Sequence, residues 1–96
     1  MPHLRWSPRA IRDLGRLQDF LQSKSAGSAG HAIETIQRQT APLEQFPGIG
    51  RPVANLPARY RDLFVQFGDS GYVVRYEVRR DAVLIVGVRH MREAGF

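Results

Sequence analysis

YVVRYEVRRDAVLIVGVRHMREAGF, residues Tyr72 to Phe96, decides how the rest of the chain must fold. Tyr72–Arg79 and Ala82–Arg89 are rich in β-branched residues and are separated by Arg80-Asp81, a pattern of two antiparallel strands joined by a tight turn. Alternation puts Tyr72, Val74, Tyr76 and Val78 on one face of the first strand, and Val73, Arg75, Glu77 and Arg79 on the other. The apolar face needs a cover, so the arginine-bearing face is expected to meet water. Arg75, Arg79, Arg89, His90 and Arg92 fall on or just beyond this hairpin, and contact with an anionic partner is expected there.

Upstream, the same period of two runs from Tyr60 to Phe67, with Arg61, Leu63, Val65 and Phe67 opposed to Asp62, Phe64 and Gln66. Gly68–Gly71 joins it to the hairpin as a turn, because glycine reaches positive φ cheaply. These three strands make an antiparallel meander. Ahead of them lies the cover. Ser7-Pro8 is a helix start: serine can accept from an orphan amide, and proline at the first position strands no N–H. Ala10, Leu14, Leu17 and Leu21 form one apolar stripe, with Ile11 beside it, on a helix ending near Ser23. Lys24–Ser28 breaks the chain, and Ser25 or Ser28 can cap a second helix whose stripe is Ala29, Ile33, Ile36, Thr40 and Leu43. Pro42 should loosen its last turn. Phe46–Pro52 reads as a loop, since its prolines and glycines support neither periodicity, and Asn55–Arg59 continues that irregular path. His3–Trp6 is a short first strand. The predicted fold class is α+β, ordered strand, helix, helix, strand, strand, strand, as one domain over residues 1–96 with a helical hairpin across one sheet face.

The 96 residues carry a net charge of +5, and 13 of the 14 basic side chains are arginine, Lys24 being the exception. Arginine keeps its charge when partly desolvated and pairs bidentately with phosphate or carboxylate, so an anionic partner is indicated. A GC-rich coding sequence would also favour arginine. The absence of cysteine excludes disulfides and thiolate metal sites. No spacing of histidines and carboxylates suits a metal, and no cofactor is indicated. With no apolar run of membrane-spanning length and no signal-peptide core, a cytoplasmic location away from membranes is expected.

RNA cleavage needs a base, an acid and cations around the developing phosphorane charge. His90 is the histidine nearest the arginine cluster and could serve as the base. Glu77 is an alternative base, though a salt bridge with Arg75 and Arg79 explains it better. Gly48-Ile-Gly-Arg-Pro52 resembles a phosphate cradle only superficially, since no Lys-Ser/Thr and no helix follows it.

Four segments in order, Phe46–Pro52, Tyr60–Val65, Phe67–Glu77 and Val88–Phe96, resemble the RelE/ParE superfamily of type II toxin–antitoxin toxins. The resemblance spans the whole chain, including its order of elements. It implies a growth-inhibiting toxin, with a role in plasmid stabilisation, neutralised by a cognate antitoxin whose C-terminal segment wraps around it. Two activities occur in the superfamily: RelE-like members cleave mRNA on the ribosome, and ParE-like members poison DNA gyrase. Nuclease members place an arginine directly after the Ser-Gly-Tyr turn, lysines on the next strand, and a tyrosine or histidine near the C-terminus. Here Val73 and Phe96 stand at the first and last of these, and Lys24 lies between the helices. The resemblance therefore favours a ParE-like gyrase inhibitor, with Arg51, Arg61, Arg75, Arg89, His90 and Arg92 as candidate target contacts. The alternatives are a ribosome-dependent mRNA endonuclease using Arg75, His90 and Arg92, and a non-toxic basic module that binds nucleic acid.

Overall fold

The computed structural model describes residues 3–96. The expected order of elements is present: β1 (His3–Trp6), α1 (Pro8–Gln22), α2 (Ala26–Thr40), then β2 (Arg51–Pro52), β3 (Tyr60–Phe67), β4 (Ser70–Val78) and β5 (Ala82–His90). They form an α+β domain with one five-stranded sheet in the order β1-β5-β4-β3-β2. Strands β3, β4 and β5 are the antiparallel meander, and β1 joins it parallel to β5, pairing Leu4 with Val83 and Trp6 with Ile85.

Ser7 caps α1, its Oγ accepting from Ala10 N–H, and Ser25 caps α2 by accepting from Ser28 N–H. After Thr40 the chain tightens into a 3-10 helix, Ala41–Glu44, containing Pro42, which has no amide to continue the α-helical ladder. The core lies between the helices and one sheet face, where Ala10, Leu17, Ala32, Ile36 and Leu43 meet Val65, Tyr72, Val74, Tyr76, Val83, Ile85 and Val88. Ile11, which the helical spacing set beside the stripe, is exposed instead.

Three details depart from the sequence-based expectation. The hairpin turn is tighter than four residues: Gly68 takes φ 63° and Ser70 is already in β4, paired with Phe67. Arg51–Pro52, expected in a loop, forms an edge strand, with Arg51 opposite Asp62 and Pro52 opposite Arg61. Pro52 fits there because an edge strand does not need every N–H. Most consequential is a β-bulge: Tyr76 opposes Ile85 but Arg75 opposes Gly87, leaving Val86 as the extra residue. The bulge inverts the faces of β5, so Val83 and Ile85 point to the core before it and Val88 after it.

The outer edge of β5 is finished by side chains where β1 stops. Asp13 Oδ2 accepts from Val88 N–H at 2.9 Å, and Arg16 donates weakly to Val88 O at 3.5 Å. Glu93 Oε1 accepts from His90 N–H at 2.7 Å while its Oε2 takes Arg16 at 2.7 Å. Two polar residues of α1 and Glu93 of the C-terminal turn therefore stand in for a strand. Asp13→Ala should lose about 1–2 kcal/mol in urea unfolding, since it strands a partly buried amide, and Asp13→Asn should recover most of that loss.

Candidate functional site

The face of the sheet away from the helices carries Arg75, as alternation in β4 requires, and Arg89, which the β5 bulge brings there. Arg75 is held by Asp62 on the neighbouring strand through two hydrogen bonds, Nε to Oδ1 at 2.9 Å and Nη2 to Oδ2 at 3.1 Å. Such a bidentate pair fixes the guanidinium plane. The Phe96 ring lies beneath that plane, 4.4 Å from Arg75, 5.2 Å from Arg89 and 6.0 Å from Arg9. The ring also rests on Gly87, where a Cβ would come within 2.7 Å of it. Arg89 reaches back and donates to the carbonyls of His90, Met91 and Glu93, which folds the final turn onto the strand. Phe96 is thus a phenyl ring set among three cations, a favourable quadrupole arrangement with no proton to give.

His90 lies on the other face. It pairs with Tyr72, and the two rings meet edge-on with centroids 5.4 Å apart. Its Nδ1 accepts from Arg92 N–H at 3.2 Å, which leaves the ring proton on Nε2, 3.0 Å from Ser70 Oγ. An unbulged β5 would have put His90 on the same face as Arg75. The grouping of Arg75, His90 and Arg92 as one catalytic set is corrected accordingly: Arg75 belongs to the open face and His90 to the helix side. There, His90 and Ser70 line a cavity of about 660 Å³ between the C-terminal half of α1 and the β3–β4 turn, together with Leu17, Phe20, Phe67 and the cations Arg16, Lys24 and Arg92.

The remaining candidates divide between structural and exposed roles. Arg61 Nη1 donates to Gly50 O at 2.8 Å and, more weakly, to Gly48 O at 3.4 Å, so this loop turns carbonyls toward an arginine. Tyr76, fully buried, donates its hydroxyl to Pro47 O at 2.6 Å and accepts from Gly50 N–H at 2.9 Å. Burial pushes the Tyr76 hydroxyl above its ordinary pKa, keeping it a donor. The loop is a tied structural element and its Gly50 amide is already used. Arg51 and Arg92 are exposed, with no ion-pair partner among the described residues.

Glu77 forms a salt bridge, as its neighbours suggested, with Arg79 as expected but with Arg59 in place of Arg75. Its oxygens take Arg59 Nε and Arg79 Nε, each at 2.7 Å, while Arg75 is committed to Asp62. The bond from Arg59 first, and that from Arg79 next, hold the Glu77 carboxyl below its ordinary pKa against the opposing effect of burial. A carboxylate held ionised between two cations is a poor candidate for a general base. Asp62, Arg16 and Glu93 went unnoticed as organisers of this region because each reads as an ordinary polar residue on an exposed face.

Among the described residues no group of three or more histidines, aspartates or glutamates is gathered for a metal, and no helix is long and apolar enough to cross a membrane. The family model described as ParE toxin of type II toxin-antitoxin system, parDE, matches residues 4–95. Toxin RelE3 of Caulobacter vibrioides is 37% identical over 93 residues, covering 97% of this chain and 98% of that protein. Toxin RelE1 of the same organism is 29% identical over 84 residues, covering 88% and 87%. Among solved structures, the chromosomal ParDE toxin–antitoxin system from P. aeruginosa superposes with a TM-score of 0.81 at 25% identity, covering 94% of this chain and 96% of that one. The fold, the whole-length match and these relatives place the chain in the ParE toxin family of the RelE/ParE superfamily, toxins of type II systems in which each is paired with a cognate antitoxin.

Proposed function

We propose that this toxin stops growth by binding DNA gyrase and trapping its cleaved-DNA state, acting through its surface without bond chemistry of its own. The observation that carries this reading is Phe96. The centre of the open arginine cluster is filled by a phenyl ring, where a nuclease would need a group able to move a proton. Arg75 is neutralised by Asp62, and Glu77 by Arg59 and Arg79, which suits recognition better than phosphoryl chemistry. Arg51 and Arg92 are exposed at the surface and available for target contact.

The second reading, an mRNA endonuclease, draws on the RelE names of the relatives and on His90 with Arg16 and Arg92 around one cavity. Purified toxin should block gyrase supercoiling and accumulate cleaved DNA, and His90→Ala should inhibit to within about threefold of the parent, because the imidazole carries no chemistry. Unimpaired supercoiling, together with mRNA cleavage on translating ribosomes that His90→Ala abolishes, would replace this proposal with the nuclease.

A further inference from the structure

The Glu77 carboxylate grips two arginines in an unusual way for a salt bridge. Each guanidinium gives only its Nε–H to a hydrogen bond, Arg59 to Oε2 and Arg79 to Oε1. No terminal amino group of either arginine is hydrogen-bonded to the carboxylate, and the two side chains are 54% and 57% exposed. Glu77 itself is 93% buried by residue area, with 7% exposed, so it acts as a fixed post beneath them. The Tyr60 ring braces Arg59, 5.1 Å from its guanidinium carbon. Arg59 also borders a groove of about 400 Å³ lined by Pro47, Gly48, Ala58, Arg61 and Val78. Among the described residues Glu77 is the sole carboxylate in ion-pair contact with either arginine.

We propose that Arg59 and Arg79, aligned by Glu77, form a clamp for the phosphodiester backbone of nucleic acid, separate from the Phe96 cluster and from the His90 cavity. A phosphate offers oxygens to several N–H groups at once, and two forks preset side by side match it without first being ordered. Backbone contact needs positioned cations and little else. An acidic peptide would want an apolar anchor pocket, and the groove that borders Arg59 offers only Val78, Ala58 and Pro47. The inference is independent of whether gyrase or the ribosome is the target.

Arginine can hold Glu77 by Nε and still present two amino groups, whereas lysine has one nitrogen for both tasks. The test is fluorescence anisotropy of a labelled random-sequence DNA duplex titrated with purified toxin over a range of salt concentrations. R59K/R79K keeps the net charge of +5 and can keep the ion pair. It should bind roughly tenfold more weakly, with the slope of log affinity against log salt shallower by up to about 2. R12K/R38K, the same exchange on exposed helix positions, should match the parent. If circular dichroism shows that the double variant has not folded, R79Q, which leaves Arg59 on Glu77, should lower the slope by about 1. Parent-like binding by the folded variants would overturn the proposal, as would an equal loss in R12K/R38K. So would displacement of the duplex by polyglutamate as readily as by unlabelled DNA, or binding of inorganic phosphate alone.

Discussion

Gly50→Ala is expected to destabilise the toxin by about 3 kcal/mol, the upper part of the range for forcing atoms into a filled core. An added Cβ would stand 2.5 Å from Tyr76 Oη, 2.8 Å from its Cε1 and 2.9 Å from the Asp62 carbonyl oxygen. The first is a side chain at zero exposure and the last is backbone in β3, so neither can retreat without opening the sheet. Moving the loop instead breaks both hydrogen bonds of the Tyr76 hydroxyl and the bond from Arg61 to Gly50 O. In a domain of this size the loss should lower the melting temperature by roughly 10–20 °C. Tyr76→Phe should cost about 1–3 kcal/mol by leaving Gly50 N–H and Pro47 O unpartnered. Combining the two should cost less than their sum, because the phenylalanine ring lacks the oxygen that the new methyl strikes. Strict additivity in that cycle would show that the loop is not pinned by Tyr76.

Removing Glu77 is the second large effect. Glu77→Ala should cost about 2 kcal/mol in urea unfolding, the value of two charge-assisted hydrogen bonds discounted because both arginines are more than half exposed. A pH dependence accompanies it. The folded carboxyl titrates below its unfolded value, so the stability it contributes is complete above the unfolded carboxylate range, near pH ~4.3, and is lost as pH falls through the folded value. The parent and Glu77→Ala should therefore converge in stability as the pH is lowered below about 4. A gap that stayed constant down to pH ~2 would contradict the assigned ion pairs.

Much of this architecture could be read from residue order. Strict alternation in β4 located Tyr72, Val74 and Tyr76 in the core, and the Ser7-Pro8 and Ser25 starts set both helices. What alternation could not supply was the bulge at Arg75/Tyr76, because Ala82–His90 is apolar on both faces and either register looks acceptable. That single inserted residue moved His90 from the arginine face to the helix face. The partners of the arginines were hidden for a different reason. Asp62 for Arg75, and Arg59 for Glu77, depend on the β3–β4 register, which pairs Asp62 with Arg75 and Tyr60 with Glu77 across a turn whose length was read two residues too long. The edge strand Arg51–Pro52 was illegible because its position follows from Tyr76 and Arg61 anchoring the loop before it, not from any local preference.

Pairing β1 with β5 also sets the order in which the molecule can be completed. Leu4 waits for Val83, and Ser7 Oγ bonds Val86 O across 79 residues of chain. Asp13 and Arg16 likewise wait for Val88 and Glu93. Contacts of such long sequence separation carry a large loop-closure cost and form late. On a translating ribosome the two helices would emerge with nothing to cover, and the sheet would close only when β5 left the exit tunnel. The surface that carries Arg75, Arg89 and Phe96 is therefore finished only once the segment Ala82–Phe96 has been made.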